Sequence, residues 1–136
     1  MRARVQEVQA DIRRGVRRSQ TGQDMTPRIS EADWQRTVTD ALTLYGWRWT
    51  HFRPANTGRG WRTPLSGSPG FPDIVAVREY TLYFIELKAE AGRLTLDQQD
   101  WQAALLECVD LDLAPRGTQY YVWRPSDFDE VMEVLK

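Results

Sequence analysis

The sequence contains few of the residues that cross-link small proteins. Among its 136 residues there is one cysteine, Cys108, and one histidine, His51. A disulfide needs two cysteines and a structural zinc site needs four ligands, mostly Cys and His, so neither can form within one chain. A chain of this length buries enough apolar surface to fold as one domain without them. The low cysteine content fits a reducing, cytoplasmic environment.

Long apolar runs and nucleotide-binding motifs are also absent. No segment has about 18 successive apolar residues, the length that crosses a bilayer, and the first residues contain no apolar run of signal-peptide length. We therefore expect a soluble, intracellular protein with no membrane partner. The sequence also lacks a P-loop, a dinucleotide fingerprint and the G-x-S-x-G motif of serine hydrolases, so no small-molecule cofactor is predicted.

The net charge of −1 conceals a segregation of charge along the chain. Residues 1–28 contain seven arginines and three acidic residues, and residues 47–72 contain four arginines and no acidic residue. Residues 97–136, in contrast, contain nine acidic and three basic residues. Such a chain can present a basic face to a polyanion, although an ordinary solvated surface is the alternative interpretation.

Residues 1–28 are predicted to form a basic N-terminal arm and linker, and residues 29–136 a single domain. Within the arm, residues 4–19 have helical composition, and their apolar side chains recur at helical spacing at Val5, Val8, Ile12 and Val16. The segment SQTGQDMTP that follows has the glycine, proline and polar content of a linker.

The first half of the domain is predicted to contain one helix, one strand and a long loop. Ser30 is a suitable N-cap and Gly46 a suitable terminator for a helix over residues 31–45. A strand is predicted in WRWTHFR because aromatic and polar residues alternate there. The glycines and prolines of PANTGRGWRTPLSGSPG then predict a long loop.

The second half is predicted to contain a hairpin, a helix, a strand and a last short helix. DIVAVR and TLYFIELK read as an antiparallel hairpin, in which residues 81–88 are apolar on both faces and therefore central in the sheet. Thr95 and Gln98 have the spacing of a capping box. The helix that follows is predicted to place on one face Trp101, Ala104, Leu105 and Cys108. TQYYVW predicts a further strand, and Pro125 begins the last helix. The expected fold class is α/β, with element order α-β-β-β-α-β-α and a central mixed sheet flanked by helices.

Three charged residues lie within or beside the apolar strands of the hairpin: Asp73, Glu86 and Lys88. Alternate residues of a strand share a face, so Glu86 and Lys88 point the same way. If Glu79 and Tyr80 form the turn, Asp73 lies opposite Glu86, although this turn lacks the Asn or Gly that tight hairpins prefer.

Two carboxylates about 5 Å apart in a partly buried site repel each other, and a divalent cation relieves the repulsion. Oxygen ligands without His or Cys favour Mg²⁺ or Mn²⁺ and chemistry on phosphate, whereas an exposed ion pair on an edge strand is the alternative interpretation.

GFPD followed by ELK resembles the PD-(D/E)XK nuclease superfamily, and more narrowly its VRR-NUC family. SEADWQ resembles the first-helix motif of that family, and LTLDQQDW resembles its L-S-x-x-Q-x-x-W segment. Together these matches span residues 30–102. The resemblance implies a restriction-endonuclease-like αβββαβ core and metal-dependent hydrolysis of DNA.

The resemblance also implies a catalytic set and a metal-binding set that overlap. The catalytic residues would be Asp73, Glu86, Lys88, Glu31 and Gln98. The ligands of Mg²⁺ or Mn²⁺ would be Asp73, Glu86, Glu31 and the backbone carbonyl of Leu87. The metal would lower the pKa of a water molecule, and Lys88 would orient that water or offset charge that develops on the phosphate.

Three residues also have ordinary structural interpretations. Glu31, in the first turn of a helix, could stabilise the helix dipole instead of binding a metal. Gln98 could complete the cap with Thr95 and could also point inward to the site, and the two roles can coexist. His51 precedes the glycine-rich loop, where it could contact a phosphate or form a structural hydrogen bond.

Candidate DNA-binding residues lie around the loop and in the arm. Around the loop they are His51, Arg53, Arg59, Trp61 and Arg62, of which Trp61 is a candidate for stacking on an unpaired base. In the arm they are Arg13, Arg14, Arg17 and Arg18, which could follow the DNA backbone or instead lie beside a dimer contact.

The domain is close to a minimal nuclease core without a separate sequence-reading domain, so low sequence specificity is expected. We expect structure-selective cleavage of branched DNA such as four-way junctions. A homodimer is expected because release of a junction needs two symmetric cuts and each chain offers one site. The alternatives are a nicking or end-trimming nuclease in repair or restriction, and a nuclease fold that only binds DNA.

Overall fold

The computed structural model describes residues 28–52, 55–56, 61–62 and 66–136, so the predicted helical arm lies outside the described residues. The helices are α1 (Glu31–Leu44), α2 (Leu96–Leu106) and α3 (Phe128–Leu135), with short 3-10 helices at Leu111–Leu113 and Pro125–Asp127. The strands are β1 (Arg48–His51), β2 (Ala55–Asn56), β3 (Trp61–Arg62), β4 (Ile74–Arg78), β5 (Thr81–Leu87) and β6 (Thr118–Trp123). The predicted α/β class is confirmed. No helix among these residues is both long and apolar enough to cross a membrane.

The main sheet has four strands in the order β1-β4-β5-β6. Its first three strands are antiparallel, and β6 lies parallel to β5. Parallel neighbours need a crossover connection, and α2 lies in the chain between β5 and β6. The prediction that residues 81–88 form a central strand is therefore confirmed for β5. The segment predicted to be a long loop contains a second, two-stranded sheet made of β2 and β3, which corrects that prediction.

The hairpin between β4 and β5 has the predicted two-residue turn. Glu79 and Tyr80 both have positive φ angles, 45° and 65°, the conformation of a tight turn whose twist matches the strands. Arg78 pairs with Thr81, which is the register that a turn at Glu79 and Tyr80 requires. Left-handed backbone costs a residue other than glycine roughly 1–2 kcal/mol. The strand pairing therefore determines the turn here, because the turn residues themselves do not favour it.

The core lies between one face of the sheet and helices α1 and α3. Its largest fully buried side chains include Trp34, Leu42, Ile85, Trp123 and Leu135. The Trp34 indole donates a hydrogen bond to the backbone oxygen of Trp123 at 3.0 Å, so its polar atom is satisfied where it is buried. This packing holds α1 against β5, the strand that carries Glu86.

The four residues predicted to share one face of α2 differ in burial. Leu105 is buried, but Trp101 is half-buried and both Ala104 and Cys108 are exposed. The reason is that α2 packs against the loop that precedes β4: the Trp101 indole donates to the Ser68 backbone oxygen at 3.2 Å. Leu105 and the part of the helix that contacts this loop are covered, whereas the side chains of Ala104 and Cys108 are open to solvent.

Candidate active site

The hairpin places two carboxylates side by side. Asp73 immediately precedes β4, and because Ile74 pairs with Ile85 the register continues to put Asp73 opposite Glu86. An oxygen of Asp73 accepts a hydrogen bond from the Leu87 backbone N–H at 2.8 Å. The Phe52 N–H donates to the Asp73 backbone oxygen at 3.0 Å, so the residues that follow β1 begin beside this carboxylate.

Glu86 is held by two side chains that donate to the same oxygen. Its Oε1 atom lies 3.2 Å from the Lys88 ammonium nitrogen and accepts a hydrogen bond from the Gln98 amide at 2.8 Å. Only 1% of Glu86 and 9% of Lys88 is exposed. The prediction that Glu86 and Lys88 point the same way is confirmed, and the alternative of an exposed edge-strand pair is wrong.

Gln98 makes both of the contacts that the sequence allowed. Its side-chain oxygen accepts from the Thr95 N–H at 2.9 Å and completes a capping box with the Thr95 hydroxyl, while its amide nitrogen reaches Glu86. The start of α2 is thereby tied to the centre of the sheet. This contact fixes the orientation of the Glu86 carboxylate.

Burial raises the pKa of both carboxyl groups, and the charges of neighbouring carboxylates add to the rise. For Glu86, burial followed by the charge of Asp73 raises the pKa to about 7, against smaller lowering effects of Lys88. For Asp73, burial raises the pKa more than the Leu87 hydrogen bond lowers it. Burial and then the charges of Glu86 and Asp73 raise the pKa of Tyr120 to about 12. The site thus carries more negative charge than its one lysine balances.

Glu31 and His51 lie at the margin of this pair. The charge of Glu31 raises the pKa of both Asp73 and Glu86, and that of His51 lowers the pKa of Asp73. The Nδ1 atom of His51 lies 3.1 Å from the Gln35 amide nitrogen, which supports the structural interpretation of this histidine. Over the part of the chain that the structure describes, no three His, Cys, Asp or Glu side chains are close enough to form a metal centre by themselves.

A tightly packed loop aligns Asp73 with α2. Gly70 has a φ angle of +90°, and a Cβ atom there would lie 2.5 Å from the backbone carbon of Asp97. The ring of Phe71 makes edge contacts with three other rings, those of Phe52, Phe84 and Trp101. At Gly70 the backbone of this loop lies closer to α2 than a residue with a side chain permits.

The remaining predicted site residues are only partly covered by the structure. Trp61 and Arg62 form β3, whereas the other loop and arm arginines lie outside the described residues: Arg53, Arg59, Arg13, Arg14, Arg17 and Arg18. Sequence reasoning missed Gln35 and Tyr120. Gln35 follows Glu31 by four residues on α1, a spacing that places it on the same helical face. Tyr120 had no such signal, because the pairing of β6 with β5 is a long-range contact.

Comparison of the chain with protein-family models, with curated proteins and with solved structures finds no match in any of the three. The functional argument therefore depends on the geometry and chemistry of the site.

The raised carboxyl pKa values predict how the stability of the metal-free protein depends on pH. A carboxyl whose pKa is higher in the folded state stabilises the fold below its unfolded value, and this contribution is lost as pH rises through the folded value. For Glu86 the window runs from about 4.5 to about 7. We expect the melting temperature, measured with a chelator present, to fall across that window, and to fall less in Glu86→Gln. An equal fall of the melting temperature in the unsubstituted protein and in Glu86→Gln would show that another group causes the pH dependence.

Proposed function

We propose that this protein is a metal-dependent nuclease that hydrolyses phosphodiester bonds of DNA. The observation that carries the proposal is the pairing of half-buried Asp73 with buried Glu86, whose pKa values are raised and whose excess negative charge Lys88 alone does not balance. Two carboxylates that share such a site repel each other, and a divalent cation between them would relieve the repulsion that Lys88 leaves. The resemblance to the VRR-NUC family is consistent with this interpretation.

The donor set fits a hard divalent cation such as Mg²⁺ or Mn²⁺. Asp73 and Glu86 would supply carboxylate oxygens, and Leu87 would supply its backbone carbonyl. The Leu87 N–H already faces Asp73, and the N–H and C=O of one strand residue point to the same side. Glu31 lies outside the carboxylate pair and would act through water, which suits Mg²⁺ because it keeps several waters. When bound, the cation would supply Lewis-acid activation of water and neutralise phosphate charge.

Lys88 and Gln98 would have separate tasks in this reaction. The Lys88 ammonium, held 3.2 Å from Glu86, would stabilise charge that develops on the phosphate or orient the attacking water. Gln98 would act as a positioning residue, because it holds the Glu86 carboxylate from the start of α2. Its contribution would be to keep that carboxylate in one rotamer before the substrate binds.

The basic residues of the chain support DNA as the substrate. The Phe52 N–H is bonded to the Asp73 backbone oxygen, and the next ten residues of the sequence include Arg53, Arg59, Trp61 and Arg62. These residues, with His51 and the arginines of the arm, would contact phosphates and an unpaired base. We propose branched DNA such as a four-way junction as the preferred substrate, cut by a homodimer that provides two sites.

A second candidate function is a DNA-binding module without catalysis. The observation in its favour is that Glu86 already has Lys88 and Gln98 as partners, so the polar network is satisfied in part without a ligand. Nicking or end-trimming of DNA is a third possibility for the same site, and it would not need a dimer.

A cleavage assay on four substrates tests the substrate proposal. Junction, flap, single-stranded and linear duplex DNA of matched sequence would be incubated with Mg²⁺ or Mn²⁺, and light scattering would give the oligomeric state. We expect a dimer, faster cutting of the junction than of the duplex, and affinity that falls steeply with salt and little with sequence. A monomer that cuts duplex and junction equally would favour nicking, and metal-independent binding without cutting would favour the binding module.

A further inference from the structure

Helix α2 and the 3-10 helix that follows it expose a set of leucines to solvent. Leu96 and Leu106 are 78% and 49% exposed, and Leu111 and Leu113 are 80% and 54% exposed. On α2, Leu96 and Leu106 share one helical face with the exposed Ala103. Clustered exposure of large apolar side chains marks an interaction surface, whereas single exposed leucines do not. We call this set of five residues the leucine stripe.

Acidic residues border the leucine stripe. Residues 96–113 contain no lysine or arginine, and five exposed carboxylates lie among them: Asp97, Asp100, Glu107, Asp110 and Asp112. A cavity of about 340 Å³ adjoins the same helix, lined in part by Asp97, Asp100 and the Trp101 indole. Carboxylates beside an aromatic ring suit a guanidinium group, which can pair with the first and stack on the second. The surface therefore fits a segment that is both apolar and rich in arginine.

The N-terminal arm has this composition. Residues 1–19 contain six arginines and two acidic residues, and the apolar side chains of the arm recur at helical spacing from Val5 to Val16. The arm and the leucine stripe thus match in two independent respects, since each offers a row of apolar side chains and their charges are opposite.

The arm is close enough to reach the leucine stripe of its own chain. Trp34, in the first turn of α1, donates to the Trp123 backbone oxygen, which also accepts from the Lys88 N–H. Two residues before Lys88, Glu86 is bonded to Gln98 in the first turn of α2. The chain therefore leaves the arm near the start of α2. The eight residues 20–27 can extend over up to about 28 Å, and α2 itself is only about 16 Å long.

We propose that the arm, residues 4–19, binds the leucine stripe of the same chain, with its arginines paired to the acidic border. Arginines that are paired in this way are not available to DNA. Docking of the arm and DNA binding by the arm would therefore compete, and DNA would have to displace the arm from α2 to use those arginines. The proposal concerns the arm alone and does not require nuclease activity.

The single cysteine of the chain permits a direct test in the full-length protein. Cys108 is exposed and lies between α2 and the 3-10 helix, so a photoreactive maleimide attached to it samples the leucine stripe. After irradiation at micromolar concentration, mass spectrometry would locate the cross-links. We expect them within residues 1–19 and within single chains.

Matched variants make this test specific. Leu106→Ser combined with Leu111→Ser should reduce the cross-link to the arm by about tenfold, equivalent to ~1.4 kcal/mol. Val8→Asp combined with Ile12→Asp, which changes the arm instead of the leucine stripe, should reduce the cross-link by a similar factor. Tyr80→Ser, which changes a fully exposed residue of the hairpin turn away from the stripe, should have no effect. Cross-links spread evenly over the protein, cross-links only between chains, or no effect of either double variant would overturn the proposal.

Discussion

Asp73→Asn and Glu86→Gln are each expected to abolish metal-dependent cleavage of DNA while leaving the fold intact. Each change keeps the size of the side chain and removes one anionic oxygen from the pair that would hold the cation. Removing a single preorganised electrostatic contact typically costs about 100- to 1000-fold in turnover, and loss of the cation removes several such contacts at once. Initial rates on junction DNA with Mg²⁺ or Mn²⁺, together with metal titration by calorimetry, would measure both effects.

Two exposed acidic residues of α3 provide matched controls. Asp129→Asn and Glu133→Gln make the same chemical changes on the protein surface, and both should leave cleavage and metal binding unchanged. Lys88→Ala should reduce turnover more than metal affinity, because the ammonium would act on the phosphate or on water. If Asp73→Asn bound the metal as tightly as the unsubstituted protein, the metal site would lie elsewhere and the proposed mechanism would fail.

Gly70→Ala is expected to cause a large loss of stability, larger than that of Gly67→Ala in the same loop. The new Cβ would lie 2.5 Å from the Asp97 carbon and 2.7 Å from the Gln98 nitrogen, all backbone atoms that cannot move independently of α2. The backbone also has a φ angle of +90°, which alone costs roughly 1–2 kcal/mol with a side chain present. We expect the free energy of unfolding, measured by denaturant titration, to fall by more than that amount. Cleavage should also slow, because displaced α2 would carry Gln98 away from Glu86.

Gly67→Ala separates the two contributions to this loss. Gly67 has a similar φ angle, +99°, but a Cβ atom there would meet nothing within 4 Å. It should therefore lose only the stability that the backbone conformation costs, and its cleavage rate should be normal. Equal losses in Gly67→Ala and Gly70→Ala would show that the close approach of the loop to α2 has no energetic consequence.

The sequence by itself determined the local features of this protein. Strand alternation placed Glu86 and Lys88 on one face, and a two-residue turn was sufficient to bring Asp73 opposite Glu86. The capping box of Thr95 and Gln98 predicted the start of α2. These features are predictable because side-chain periodicity, caps and turns depend on residues only a few positions apart.

Only the tertiary structure decided how these local features combine. Three contacts join elements that are distant in the sequence: the bond from Gln98 to Glu86, the approach of Gly70 to α2, and the pairing that places Tyr120 beside the site. Each of them depends on how the crossover between β5 and β6 packs. For the same reason the sequence did not determine how far each face of α2 is buried. Helical periodicity identifies which residues share a side, but what covers that side depends on long-range packing, which leaves the leucines of α2 in solvent.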